Sequence, residues 1–107
     1  MFLSRLTFYT LPGKTDTMEQ KLLTLANWVD QAGGAKSRVM RTHYSSAGAP
    51  DLLFEREVPD PGTLEQQIKT VTAKKEFQDW VQEVTPLLDH SSKRELFKIV
   101  NGIESHG

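Results

Sequence analysis

His43, Tyr9 and Tyr44 are the side chains in this sequence best suited to chemistry. An imidazole exchanges a proton near neutral pH and can serve as general base or ligand. A phenol hydroxyl can orient a substrate by hydrogen bond. Trp80 and Trp28 add flat apolar walls and Arg41 adds a cation, which together would make a small-molecule cleft. Each of these residues also has a plain structural reading. His43 can simply face solvent or pack, Tyr9 and Tyr44 can be core or interface aromatics, and Trp80 can fill the core. Arg5, Arg41 and Arg56 all fall in segments that read as strands. A covered guanidinium there needs an acceptor: Glu55, Glu57, Glu95 or an anionic ligand.

The remaining motifs exclude more than they identify. The three histidines are far apart in sequence and give no metal-ligand spacing. There is no cysteine, so disulfides, thiolate catalysis and cysteine-held zinc or iron–sulfur sites are excluded. Gly33-Gly34 and Pro12-Gly13 read as turns, without a phosphate-loop pattern. No serine sits in a nucleophile elbow. The expectation is therefore no cofactor and no metal, and no motif fixes a reaction. The 13 basic and 14 acidic residues are interleaved, for a net charge of −1, with no basic stripe to bind nucleic acid. No apolar run approaches the ~20 residues of a membrane span. The opening MFLSRLTFYT lacks the apolar core of a signal peptide. A cytoplasmic protein is the expectation.

The elements that would position these residues follow from hydrophobic period. Residues 2–11 alternate as a strand closed by Pro12-Gly13. Residues 16–32 carry Met18, Leu22, Leu25 and Val29 at helical spacing, with Asp16 or Thr15 as cap and Gly33-Gly34 as stop. Residues 36–45 read as a polar strand holding Arg41, His43 and Tyr44. Residues 51–58 form a third strand, with Leu52, Phe54, Arg56 and Val58 on one face. Pro59-Asp60-Pro61-Gly62 breaks the chain, and Thr63 caps a helix lined by Leu64, Ile68 and Val71. The β-branched run Thr70-Val71-Thr72 weakens it and predicts a break near Ala73-Lys74. A strongly amphipathic helix follows, with Phe77, Val81, Val84 and Leu88 in line and Trp80 and Leu87 beside it. Pro86 should distort its last turn. Residues 94–100 return as a fourth strand with apolar residues on both faces.

With 107 residues the chain should be one domain over 1–100, followed by a flexible tail at 101–107. The order β-α-β-β-α-β, its second helix in two pieces, predicts an α+β, ferredoxin-like domain: a four-stranded antiparallel sheet with helices on one face. The other sheet face still carries apolar side chains. Covering them with a second copy, as an isologous homodimer, removes the loss of leaving them in water.

The segments FLSRLTFYTLPGK and KKEFQDWVQEVTPLL, the latter followed by SKRELFKIV, resemble the opening and ending of dimeric α+β-barrel proteins of the ferredoxin-like type. Within that group the chain looks like the NIPSNAP-like and antibiotic-biosynthesis-monooxygenase-like families. The resemblance implies two sheets packed back to back, with a cleft in each protomer between helices and sheet. It also implies a first guess at activity: oxygenation without a cofactor, the substrate supplying the electrons. Tyr9, Tyr44 and Trp80 would supply part of the Asn, Trp and Tyr set of such enzymes. The haem-degrading members use an Asn on the first strand and a His on the late helix. Residues 2–11 hold no Asn and residues 76–88 no His. A non-catalytic, NIPSNAP-like interaction module is the alternative. A cleft of at least ~300 Å³ near Trp80 would distinguish ligand binding from a filled core.

Overall fold

The sheet is built around the first strand, β1 (Phe2–Phe8), which pairs antiparallel on both sides. β3 (Leu52–Val58) lies on one flank and β4 (Lys93–Lys98) on the other; β2 (Arg38–Arg41) borders β3, giving the order β2-β3-β1-β4. A computed structural model describes residues 1–33 and 36–102. The expected second glycine of the helix stop and the end of the tail lie outside the described residues. The architecture is the expected α+β one, with α1 (Thr15–Gln31), α2 (Pro61–Thr72) and α3 (Lys75–Val84) between the strands. Among the described residues, no helix is long and apolar enough to cross a membrane.

Period-two alternation divides the sheet into two chemically different faces. Phe8, Leu52 and Phe54 point under the helices and are buried with Met18, Leu22, Leu25 and Val29 of α1. Leu64 and Val71 close the core from α2, and Trp80 and Val84 from α3. The indole Nε1 of Trp80 donates to the backbone carbonyl of Lys21 at 2.8 Å, tying α3 to α1. The opposite face carries Leu3, Arg5 and Thr7 of β1 beside Leu53, Glu55 and Glu57 of β3.

Local chemistry sets the element ends. Lys14 N–H bonds the Leu11 carbonyl across Pro12-Gly13, with Gly13 at φ +79, the left-handed position such a turn reserves for glycine. α1 then starts one residue earlier than expected and has no side-chain cap: Asp16 and Glu19 turn to Arg41 instead. α2 is capped by Asp60 rather than Thr63, its carboxylate accepting from the Thr63 N–H at 2.7 Å, with Pro61 at the first helical position. The helix breaks at Ala73-Lys74 as predicted. Pro86 converts the end of α3 into a 3-10 turn over Thr85–Leu87.

Two expectations are corrected. β2 stops at Arg41, not residue 45, because its partner β3 begins at Leu52 and the Thr42 hydroxyl turns to the Pro50 carbonyl at 2.6 Å. β4 runs over Lys93–Lys98 rather than residues 94–100, and within one chain all six of its residues are exposed, since its extensive packing is with β1 alone.

Candidate functional site

Between the helices and the sheet lies a cavity of about 610 Å³. Its floor is Leu6 and Phe8 of β1 with Phe54 and Arg56 of β3, its roof the facing sides of α2 and α3, and its rim residues 90–92. The volume falls in the range of small-molecule sites, about 300–1,000 Å³. It exists because the second helix is broken in two and because no broad helix contact covers β4. Leu96, on the cavity side of β4, is 40% exposed.

Charge is distributed unevenly in this chamber. Most of the wall is apolar, and among the described residues no Asp or Glu lines it, yet two arginines do. Arg56 stands directly across from Ser4 on β1; Arg94 stands across from Leu6 on the opposite flank. Arg56 is buried, at 6% exposure. Its Nη2 donates to the Gly33 carbonyl at 3.3 Å, while its Nε has no partner among the described residues. Gln67 donates to the same carbonyl through Nε2, and its buried Oε1 is likewise unpartnered. Arg94 is more open, and donates through Nη1 to the Ser4 hydroxyl at 2.9 Å. Burial pulls both guanidiniums below the usual arginine range; Arg94 adds to the shift of Arg56, and Asp30 opposes it. Asp30 makes no salt bridge with Arg56; its Oδ1 accepts from the Ser37 N–H and hydroxyl at 2.8 and 2.9 Å.

The residues singled out from sequence divide sharply. Trp80 forms part of the cavity wall, its ring stacked 5.8 Å from that of Phe77. Trp28 packs against the core and is not among the lining residues, because it sits at the far edge of the α1 stripe. Arg41 lies outside the cavity as well. It is exposed on the edge strand, where Asp16 and Glu19 raise its pKa by hydrogen bonding. His43 and Tyr44 fall beyond the end of β2, in the loop; their rings meet edge to face at 4.6 Å, and Tyr44 is 90% exposed. Tyr9 lies past β1, with its ring centroid 4.3 Å from that of His90 and Lys93 over its face.

His90 is the lining residue that sequence reasoning passed over. It sits in the loop after the 3-10 turn, held by the Asp89 N–H bonding to the Tyr9 carbonyl at 2.8 Å. Its Nδ1 lies 3.2 Å from the Asp89 carboxylate. Arg94 gave no signal of its own beyond being a cation on a strand. Arg56 reads, together with Arg5 and Arg41, as a strand arginine that needs an acidic partner or an anionic ligand.

No family model matches the chain, and no curated protein is similar enough to match it. Solved structures do match. An uncharacterized NIPSNAP domain protein from Burkholderia xenovorans superposes with a TM-score of 0.74 at 13% identity, over 92% of this chain and 93% of that one. An antibiotic biosynthesis monooxygenase superposes at 0.67 and 16% identity, over 94% and 100%. A dimeric ferredoxin-like protein of unknown function from Thermobifida fusca superposes at 0.62 and 13% identity, over 90% and 88%. At these identities the likeness is one of architecture. The chain carries the ferredoxin-like α+β fold that the NIPSNAP-domain and antibiotic-biosynthesis-monooxygenase proteins share.

Proposed function

We propose that this protein binds a small, partly apolar organic molecule in the cavity beneath its helices, and does so as a homodimer. The observation that carries the reading is the cavity itself: about 610 Å³ walled by Phe54, Phe77 and Trp80, in a chain short enough that a void of this size forfeits much of its packing. The dimer is supported by the uncovered sheet face, where Phe97 is 40% exposed beside Leu3, and by the fold neighbour described as dimeric. Neutral 1-naphthaleneacetamide should bind saturably with one site per chain. Ile68→Trp, which fills the cavity from α2, should abolish that binding. Sedimentation equilibrium on the same samples should give twice the chain mass, falling to one chain for Phe97→Glu. Absence of saturable binding would reject the ligand reading; a monomer at high concentration would reject the dimer.

A second reading, oxygenation without a cofactor, draws its support from the neighbour described as an antibiotic biosynthesis monooxygenase and from the cavity's cationic floor. An electron-rich anion such as deprotonated anthrone would reduce O2 itself. One oxygen atom would enter the product as a carbonyl and the other would leave as water. Oxygen uptake with anthrone checks this, and no uptake above the uncatalysed rate leaves the non-catalytic, NIPSNAP-like binding module in its place.

A further inference from the structure

We infer that the molecule held in the cavity is an organic acid, and that Arg56 and Arg94 receive its carboxylate. The inference rests on the binding reading above and adds the chemical class of the occupant. Three observations carry it. The two guanidiniums approach from strands on either side of β1 and line one chamber that contains no acidic side chain among the described residues. Arg56 is more than nine-tenths buried, yet its only hydrogen bond among the described residues is to the Gly33 carbonyl, and its Nε is unpartnered. Every other strand arginine except Arg94 has found a carboxylate: Arg5 and Arg38 share Glu55, and Arg41 takes Asp16 and Glu19.

A buried cation without a counter-charge is costly, and proteins avoid one unless something supplies the missing charge. Asp30, the internal candidate, attracts Arg56 only from a distance and makes no salt bridge with it, one of its oxygens accepting from Ser37. The planar guanidinium presents paired donors at the spacing of carboxylate oxygens, which makes a carboxylate the fitting anion. Arg94 is held in position by the Ser4 hydroxyl, itself buried at 2% exposure, and sits toward the solvent side of the chamber. An acid could therefore place its charged end on the sheet floor and its apolar body against Phe77, Trp80 and Val84.

The test compares 1-naphthaleneacetate with 1-naphthaleneacetamide, which share one apolar body and differ in charge, by calorimetric titration of the whole protein. The acid should bind about ten- to a hundredfold more tightly, the range for charge-assisted hydrogen bonds. Arg56→Gln and Arg94→Gln should each remove most of that preference while leaving amide affinity within about twofold. Arg94→Gln, on an exposed position, keeps the test open if the Arg56 variant folds poorly. Equal affinity for acid and amide, or a preference that survives both substitutions, would overturn the carboxylate assignment and leave the cavity-binding reading standing. Binding of neither compound would overturn both.

Discussion

Glu55 and Arg56 are consecutive on β3, both almost fully buried, and they point to opposite faces of the sheet. Their surroundings could hardly differ more. On the outer face the Glu55 carboxylate takes Arg5 through one oxygen and Arg38 through the other, the latter at 2.9 Å. Arg5 also lies over the ring of Phe97, 5.2 Å from its centroid. The buried carboxylate in that cluster is answered by the chain itself. On the inner face Arg56 bonds a backbone carbonyl and, among the described residues, no carboxylate. The contrast separates two uses of a buried charge. One with its partners built in fixes strand register and asks nothing of solvent or ligand. One without them is, on our proposal, where a ligand supplies the missing charge.

The strongest way to break this comparison is to make the outer face resemble the inner one. Arg5→Met with Arg38→Met keeps long side chains over Glu55 while withdrawing both positive charges. The carboxylate is then buried and uncompensated, and the double variant should lose about 3–5 kcal/mol of stability in urea unfolding. A loss below about 1 kcal/mol would show that Glu55 reaches water or another donor, and the distinction between the faces would fail.

The reverse change on the inner face should have the opposite sign. Arg56→Met removes an unpaired buried guanidinium from an apolar chamber, so the variant should gain about 1–3 kcal/mol. Burial lowers the Arg56 pKa in the folded state below its unfolded value. The penalty is therefore present at every pH below the folded value, and stability recovers only as pH rises through the window between the two. The gain from Met should accordingly be flat across neutral pH and shrink in strong alkali. A destabilised Arg56→Met protein would mean that the arginine is structural.

Much of the scaffold was legible because local signals agree with one another. The helical spacing of Met18, Leu22, Leu25 and Val29 needed no tertiary information, and all four are buried. The break at Ala73-Lys74 and the 3-10 turn at Pro86 follow from β-branching and a missing N–H. The site was less legible, since it depends on register. Nothing local tells Arg5 from Arg56: both are strand arginines, and only the pairing of β1 with β3 puts one opposite Glu55 and the other opposite Ser4. His43 and Tyr44 were misplaced for a related reason. Their alternation suits a strand, but β3 is too short at its start to pair with them. His90 carried no period at all; backbone bonds from Leu11 to Leu87 and from Asp89 to Tyr9, just past β1, bring it to the rim.

The smallest effect is expected at Arg41, which tests whether cavity and edge are distinct places. Arg41 is on the helix side of the sheet, as Arg56 is, and is also an arginine near an apolar core. Its partners Asp16 and Glu19 are carboxylates in α1, and the pair is open to solvent, where water screens the attraction and offers the same charges equal hydration. Arg41→Gln should therefore leave the unfolding midpoint and the acid-over-amide preference unchanged within error. A preference that fell with Arg41→Gln but survived Arg56→Gln would place the anion on the edge strand. The inner-face arginine would then be an ordinary, if expensive, part of the core.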